Sequence, residues 1–407
     1  MLRDAQRLAW REEIDRVLVG APLSARRPSL RWRWDREAAE AELLARLPHA
    51  TLEDHRRLQH LFRHWGLLTY RLQVLFWGDS WDRAHSALVL ARFHCLEALP
   101  AITALLPHPS HDARLAGVSA LSLLAEPEGV RPLMEFLQGS DGREARLVRA
   151  ALIRCSRSTP ERLPAYLEKD QPALVRREAA RALAELARPS ELPPLVAAGR
   201  DPEPEVRAAV ARALGQVNAP SAWPTVNELT SDPVYFVRLQ AFGALGRVSA
   251  PRARDRLWQG IEDPDWRVRL KAMASLHRLV RDPVALLERL HKQDAQPESV
   301  LALVDILERE GIIWQCIDRA ASPLGHAHEQ SQALLRDLLR AGIFSALFYG
   351  LEMHPQLAVR NQLLRLVEEV DGPPARARLA ALLGSPALGA RFRSQVEAAL
   401  ARWESGR

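Results

Sequence analysis

The chain has 407 residues, 47% of them hydrophobic and 26% charged, which excludes both a disordered tail and a polytopic membrane protein. Its three cysteines, Cys95, Cys155 and Cys316, are widely separated, which excludes a disulfide scaffold and a cysteine-based zinc site. No apolar run approaches the ~18 residues of a membrane span, and the N-terminus mixes acids and bases, unlike a secretory signal. We therefore expect a cytoplasmic protein.

The net charge is +6 and the isoelectric point is about 9.7. Lys169, Lys271 and Lys292 are the only lysines, so arginine supplies nearly all of the 56 basic residues. Acidic residues are spread along the same segments, and no stretch is uniformly basic. The overall charge alone therefore does not indicate a nucleic-acid partner.

The N-terminal part of the chain predicts helices before any repeat begins. Residues 1–19 predict an amphipathic helix, and residues 20–29, with the sequence GAPLSARRPS, read as a linker. A second helix is predicted from about Asp35. Residues 52–78 predict a helical pair that caps the elements after it.

From residue 81 onward, an arginine followed by an apolar run recurs about every 31 residues. The six best-defined of these anchor arginines are separated by 32, 30, 31, 31 and 31 residues. Self-similarity at such a period is typical of a repeat protein. The anchors are Arg83, Arg114, Arg146, Arg176, Arg207, Arg238, Arg269, Arg360 and Arg391, and the positions expected near Val300 and Ser331 have lost the arginine.

Each repeat predicts two helices. We expect the second helix to begin at an Asp-Pro pair such as Asp201-Pro202, because Asp can cap free N–H groups and Pro fits the first turn. Small and aliphatic residues at helical spacing then form one apolar stripe. The first helix opens with a proline in four repeats, at Pro100, Pro132, Pro193 and Pro224.

The anchor arginine and the aspartate six positions before it lie at the same end of the second helix. Two interpretations follow: a ladder of arginines that binds a ligand, or ion pairs with an aspartate of the same or the adjacent repeat. We prefer the second, because such pairs would fix the stacking register of the repeats.

A helical pair of about 31 residues buries its apolar face only by stacking on its neighbours. The sequence therefore predicts an all-α fold, a right-handed α-solenoid of about ten helix-hairpin repeats with degenerate helical caps. The predicted domains are residues 1–30 (N-terminal helix and linker), 31–80 (helical cap), 81–290 (regular repeats) and 291–407 (degenerate repeats and C-terminal cap).

The motif DPEPEVRAAVARALG at residues 201–215 resembles the HEAT repeat in its short bacterial, PBS-lyase-like form. The segments GLLTYRLQVLFWGDSWDRAHSALVLARF and RAGIFSALFYGLEMHP also resemble a narrower group, the membrane-anchored HEAT-repeat proteins encoded beside glycosyltransferases. This second resemblance implies a membrane-associated enzyme as partner. The sequence departs from that group because it predicts no transmembrane helix.

Histidine is the main candidate for chemistry. His60 and His64 are four residues apart, as two metal ligands on one helix face would be, but no Glu-x-x-His pairing accompanies them. His326 and His328 are expected in a loop. HEAT-like deoxyhypusine hydroxylase carries several His-Glu pairs, and here His328-Glu329 is the only one. We therefore predict no catalytic residue, no metal and no cofactor.

The candidate binding residues are aromatic or basic. Arg31, Trp32, Arg33 and Trp34 form a dense basic-aromatic segment, which either meets a membrane surface or an acidic partner, or packs the first helix onto the array. Tyr235 and Trp266, with Phe236, form either an exposed ridge or a packing contact between repeats. Arg181 and Arg212 are the remaining candidates, on the second helices of their repeats.

We expect a non-catalytic scaffold or adaptor that binds another protein through the concave or edge surface of the solenoid. Its location would be the cytoplasm, or the inner face of the membrane if the Arg/Trp segment associates with lipid. The alternative is a subunit similar to phycobilin lyases, in which a HEAT array holds a tetrapyrrole or its carrier protein. Nucleic-acid binding is a weaker alternative, because only Arg181 and Arg212 are basic among the six positions five residues after the anchors.

Overall fold

The computed structural model describes residues 2–24, 30, 32–140, 142–186, 190, 192–248, 252–292, 297–321 and 326–405. Within these ranges the chain forms α-helices and short 3-10 turns, and none of these residues belongs to a strand. None of the described helices is both long enough and apolar enough to cross a membrane. The chain divides into two compact units, Met1–Val217 and Asn218–Arg407.

The first unit contains twelve helices among its described residues. They are α1 (Leu2–Leu18), α2 (Arg33–Leu44), α3 (Leu52–His64), α4 (Leu67–Trp77), α5 (Ser80–Arg92), α6 (Leu99–Thr103), α7 (His111–Leu124), α8 (Val130–Gln138), α9 (Ala145–Cys155), α10 (Ala173–Leu186), α11 (Leu192–Ala198) and α12 (Pro204–Val217). Two 3-10 turns, Pro160–Arg162 and Pro164–Leu167, replace the first helix of the pair that ends in α10.

The second unit continues with helices of similar length. They are α13 (Trp223–Leu229), α14 (Tyr235–Leu245), α15 (Ala253–Gly260), α16 (Trp266–Val280), α17 (Pro283–Lys292), α18 (Pro297–Arg309), α19 (Ile312–Arg319), α20 (His326–Arg340), α21 (Ser345–Met353), α22 (Leu357–Val370), α23 (Pro373–Leu382) and α24 (Ala390–Glu404).

In both units the helices pair as hairpins that stack side by side. We call the first helix of each pair the A helix and the second the B helix. In the first unit the B helix α7 packs between α5 and α9, and α10 packs between α9 and α12. In the second unit α16 packs between α14 and α18, and α22 packs between α20 and α24. These contacts confirm an all-α solenoid of helical repeats. The division at residues 30, 80 and 290 stays a prediction.

The apolar stripe of the B helices forms the core. In α12, the predicted stripe residues Val206, Val210, Ala213 and Leu214 are fully buried. Each large aliphatic side chain buried in this way contributes about 1.5–3 kcal/mol. The alanines allow neighbouring B helices to approach closely, so the stack is held mainly by apolar contacts.

A turn precedes the B helices, and here one sequence expectation was wrong. The B helices do not begin at the Asp-Pro pair. The Asp201 carboxylate accepts the backbone N–H of Glu203 at 2.9 Å, and α12 begins one residue later. A carboxylate on so short a side chain reaches the N–H two residues ahead and closes a turn there, outside the helix. The same contact joins Asp232 to the N–H of Val234, and Asp263 to the N–H of Asp265.

The N-terminal part of the first unit is fastened by a buried ion pair. The Arg71 guanidinium on α4 donates to the Glu40 carboxylate on α2 at 2.6 and 2.7 Å, and both side chains are almost completely buried. The buried Ser86 hydroxyl on α5 accepts a further, longer bond from Arg71 at 3.4 Å. Three helices thus converge on one charged pair, so their relative positions are fixed.

Candidate binding surfaces

Two of the anchor arginines, Arg176 and Arg238, join neighbouring repeats. Arg176 on α10 donates through Nε and Nη2 to the carboxylate of Asp201 in the next repeat, at 2.7 and 2.9 Å, and both side chains are buried. Arg238 on α14 makes the same two-pronged contact with Asp263, at 2.8 and 2.9 Å. We call this contact the staple. The preferred interpretation, an ion pair with the adjacent repeat, is confirmed at both positions.

The third arginine nitrogen has a separate role. Nη1 of Arg238 donates to the carbonyls of Asp232 and Pro233, six and five residues earlier in the same repeat, at 2.9 and 3.2 Å. Arg207, Arg269 and Arg114 make the equivalent pair of bonds to their own repeats. One guanidinium therefore holds the turn before its own helix and, where an aspartate follows, the next repeat as well.

Trp32 and Trp34, which flank the start of α2, are exposed. Trp32 is 59% exposed and Trp34 is 40% exposed, so neither is buried by packing of the helix onto the array. Arg33 lies between them and donates to Glu37 at 2.7 Å and to Asp82 at 2.7 Å. Arg31 lies outside the described residues. The segment is therefore available to a partner, while Arg33 is held by acids of this chain.

The Arg33–Asp82 contact brings the start of α2 to the start of α5, where further aromatic rings are exposed. Trp81 is 74% exposed, and Trp77 at the end of α4 is 80% exposed. Phe76 is also exposed and meets Trp77 edge to face, with 4.6 Å between ring centroids. We call the five aromatic residues Trp32, Trp34, Phe76, Trp77 and Trp81 the tryptophan face.

Phe76, Trp77 and Trp81 are not among the predicted binding residues, because the sequence indicates a capping pair at residues 52–78 and the first regular repeat from residue 81. A signal was present. Phe76 and Trp77 are the last two residues of their helix, next to Gly78, and a side chain at a helix end is covered by fewer neighbouring helices. Trp81 is the second residue of the next helix, α5, and a side chain in the first turn of a helix lies at the edge of the stack.

Arg181 and Arg212 lie on the solvent face of neighbouring B helices. Arg181 donates to Glu178 at 2.9 Å, and Arg212 donates to Glu185 at 3.3 Å. Glu178 is fully buried and also accepts from Arg149 at 2.7 Å. Each of these arginines is therefore paired with an acid of α10, and the face is not a continuous cationic track of the kind that binds phosphates.

In the second unit, Tyr235 and Trp266 begin the neighbouring B helices α14 and α16. The Arg267 guanidinium stacks on the Tyr235 ring, 3.9 Å from its centroid, and donates to the Tyr235 hydroxyl at 3.1 Å. Trp266 is 61% exposed. Of the two interpretations, the exposed ridge holds for Trp266, whereas Tyr235 both reaches solvent and links two repeats.

The histidines do not assemble into a metal centre within the described part of the chain, where no group of three or more His, Cys, Asp or Glu side chains is arranged to hold an ion. The His64 ring contacts the backbone carbonyl of Ser24 at 2.9 Å. The expectation that His326 and His328 lie in a loop was wrong, because both belong to the first turn of α20.

The cysteines are buried thiols. Burial raises the pKa of Cys95 and of Cys155 to about 12, and it also raises the pKa of Cys316. A thiol with so high a pKa holds almost no thiolate at neutral pH and is a poor nucleophile. Cys155 ends α9 and Cys316 lies in α19, whereas Cys95 lies between α5 and a 3-10 turn instead of within a helix.

Helical hairpins stacked in register and joined by recurring arginine contacts define an α-solenoid repeat protein. Residues 160–242 match the family model for HEAT repeats, so this part of the chain consists of HEAT repeats. A search of curated proteins finds no match.

Several solved structures match this chain at low sequence identity. Importin beta in a polyethylene glycol condition is 15% identical over 98% of this chain and 65% of its own length, with a TM-score of 0.47. Kap121p bound to Pho4p is 14% identical over 97% of this chain and 51% of its own, with a TM-score of 0.45. Human deoxyhypusine hydroxylase in complex with glycerol is 15% identical over 67% of this chain and 98% of its own, with a TM-score of 0.28. This chain thus spans about half of Kap121p and about two thirds of importin beta.

Proposed function

We propose that this HEAT-repeat protein is a non-catalytic scaffold that binds another protein, and that the tryptophan face is a principal contact surface. The observation that carries the proposal is the exposure of Trp77 and Trp81, at 80% and 74%. Covering such rings with a partner removes apolar area from water at about 25 cal/mol per Å². Tryptophan and arginine are also the residues that most often dominate binding energy at protein interfaces.

The surroundings of the tryptophan face have the composition of a protein interface. Charged residues, Arg33 with Asp82 and Glu37, lie beside the exposed rings and are already paired with one another. An aromatic centre beside paired charges resembles the apolar core and polar rim of interfaces that form and dissociate. A partner can therefore cover the rings without leaving an unpaired charge.

The ridge of the second unit supports the same function. Arg267 holds the Tyr235 ring in place through stacking and through a hydrogen bond to its hydroxyl. A ring held in this way loses little freedom when a partner covers it. We therefore propose Trp266 and Tyr235 as secondary contacts, and we add Arg181 and Arg212 of the first unit, which the sequence also indicates. A membrane-associated enzyme, which the sequence resemblance implies, is the partner class to examine first.

The test is site-specific photocrosslinking in cells of the native host. A photoreactive benzoylphenylalanine replaces Trp81 in one protein and Leu301, an equally suitable exposed site in the second unit, in the control. We expect one defined protein to crosslink at position 81 and not at position 301. The captured protein is then purified, and its affinity for the scaffold is measured by calorimetry.

The decisive comparison uses the double variant Trp77→Ser, Trp81→Ser. We expect it to bind the purified partner at least about 30-fold more weakly, because a buried aromatic hot spot contributes about 2 kcal/mol or more. The control, Leu301→Ser, should bind normally. Equal binding by the double variant contradicts the proposal, and so does a result in which position 81 crosslinks only to lipid.

A further inference from the structure

One junction between repeats in the first unit departs from the stapled pattern. It lies between the pair α6–α7 and the pair α8–α9. At stapled junctions an aspartate stands six residues before the anchor of the second repeat, as Asp201 does before Arg207. Here the same position is Ser140, six residues before Arg146. The Ser140 hydroxyl accepts the N–H of Gly142 at 3.3 Å, so the turn is kept, but residue 140 supplies no carboxylate; the next residue, Asp141, lies outside the described residues.

The anchor that faces this junction is Arg114, and one edge of its guanidinium is used as elsewhere. Nη1 donates to the carbonyls of His108 and Pro109 at 3.1 and 3.0 Å. The other edge, which grips a carboxylate in Arg176 and Arg238, contacts His111 Nδ1 through Nη2 at 3.3 Å. Among the described residues, no carboxylate lies within ion-pair distance of Arg114.

A cavity of about 820 Å³ opens at this junction, within the range of about 300–1,000 Å³ that is usual for ligand sites. Its wall combines basic side chains with apolar ones. The lining includes Arg114, His108, His111, Arg143, Phe136 and Ser140. Glu135 also lines it, but its carboxylate is paired with Arg131 at 2.7 Å.

Glu144 gives the cavity a second, independent feature. Its side chain is 9% exposed and precedes the first turn of α9. Oε1 lies 3.4 Å from His111 Nδ1, whereas Oε2 is buried and has no hydrogen-bond partner. A buried acceptor without a partner costs about 1–3 kcal/mol, which a ligand N–H group would recover. The cavity therefore offers a guanidinium edge for a carboxylate and an acceptor for a neighbouring N–H.

We propose that this cavity binds an aspartate or glutamate of a partner protein. The ligand carboxylate takes the place that Asp201 and Asp263 take at their junctions and pairs with the Nε and Nη2 edge of Arg114, where it replaces the His111 contact. A backbone N–H of the same peptide donates to Glu144 Oε2. A peptide supplies both groups within a few ångströms, which a lone inorganic anion does not. The proposal rests on the proposed function and names a chemical preference of the partner.

The test supplies the missing carboxylate from within the chain. The probe is a fluorescein-labelled decapeptide of alternating aspartate and glycine, with the matching asparagine peptide as its neutral counterpart, and fluorescence anisotropy gives the affinities. We expect the protein to bind the aspartate peptide at least tenfold more tightly than the asparagine peptide. Ser140→Asp should reduce that affinity at least tenfold, because the new carboxylate occupies Arg114.

Two controls separate the site from general charge effects. Ser140→Asn has the size of the aspartate variant without its charge and should bind like the unmodified protein. Arg114→Gln should lose binding, whereas Arg154→Gln, which removes one exposed positive charge on α9, should not. Circular dichroism verifies that each variant is folded.

The proposal is overturned if the two peptides bind equally, or if Ser140→Asp and Ser140→Asn bind alike. These results are independent of the tryptophan face. The protein could bind the acidic peptide selectively while its tryptophan variants still bind the partner protein. That result would contradict the role of the tryptophan face and support this cavity. If the tryptophan variants lose the partner and the protein does not prefer the acidic peptide, only the role of the cavity is contradicted.

Discussion

The junction at Arg176 and the junction at Arg114 are built from the same parts with one difference. Both have an anchor arginine whose Nη1 holds the backbone of its own repeat, and both have a side-chain oxygen that closes the turn before the next B helix. Among the described residues, only the first has a carboxylate that pairs with the anchor arginine across the junction. The aspartate of the repeat therefore performs two separable tasks, closing a turn and pairing with an arginine, and serine retains the first alone.

The comparison also shows what holds the repeats together. At the Arg114 junction α7 still packs along α9, with Val118, Leu121, Ala151 and Leu152 fully or almost fully buried. Stacking therefore persists without the staple, and apolar contact supplies most of the junction's stability. The staple adds register and some stability, and its absence leaves space that can receive a ligand.

The largest loss in the free energy of unfolding is expected when the buried staple between Arg176 and Asp201 loses one partner. Asp201→Ala leaves the Arg176 guanidinium buried without a counter-charge, which should cost about 3–5 kcal/mol. Urea denaturation followed by circular dichroism measures this loss. Asp201→Asn serves as the control for the turn, because its amide oxygen can still accept the Glu203 N–H. A loss below about 1 kcal/mol for both variants would contradict a structural role for the pair.

A smaller effect is expected at the more exposed staple. The Arg238 side chain is 14% exposed, against 6% for Arg176, so water can partly replace a missing partner. Asp263→Ala should therefore cost about 2 kcal/mol, the order of one charge-assisted hydrogen-bonded contact. The same urea experiment measures it. Equal losses at Asp201 and Asp263 would show that burial does not set the strength of the staple.

Adding the staple where it is missing should stabilise the first unit modestly. In Ser140→Asp, the new carboxylate pairs with Arg114 in a partly exposed setting, where such pairs contribute about 0.2–1 kcal/mol. We expect a small rise in the melting temperature, measured by calorimetry, and no rise for Ser140→Asn. If the rise persists in the double variant Ser140→Asp, Arg114→Gln, the gain does not come from the ion pair.

The smallest effect is expected for chemical modification of the Cys155 thiol at the Arg114 junction, which has no staple. Cys155 Sγ lies 3.5 Å from the Leu121 carbonyl on α7, and burial raises the pKa of its thiol to about 12. The native protein should therefore leave Cys155 unmodified by Ellman's reagent at neutral pH, and urea should make it reactive. Rapid modification in the native protein would mean that this junction opens readily without its staple.

Much of the fold follows from the sequence, because the 31-residue spacing of the anchors and the apolar stripes are local and repeated. The start of the B helices could not be placed as well, since a proline after Asp201 suits a turn as readily as the first residue of a helix. Ser140 in place of aspartate is visible in the sequence. The cavity beside it is not, because its volume depends on how the surrounding side chains pack.

The aromatic residues also separate what the local sequence predicts from what depends on contacts across the fold. Trp32 and Trp34 were chosen from composition alone, and the structure places them in solvent. Their nearness to Trp81 depends on one contact between distant segments, Arg33 with Asp82, which no local pattern specifies. The ion pair between Arg33 and Asp82, which joins distant segments, therefore determines that these exposed rings lie on one surface.

The buried pair of Glu40 and Arg71 has a consequence for how quickly a partner can associate. It ties α2 to α4, and α2 and α4 carry four of the five rings of the tryptophan face at or beside their ends. The helix ends that carry these rings are therefore held in a fixed arrangement before any encounter, and neither helix has to fold during docking. Association should then proceed in a single kinetic step, with a rate that rises in proportion to partner concentration and reaches no plateau.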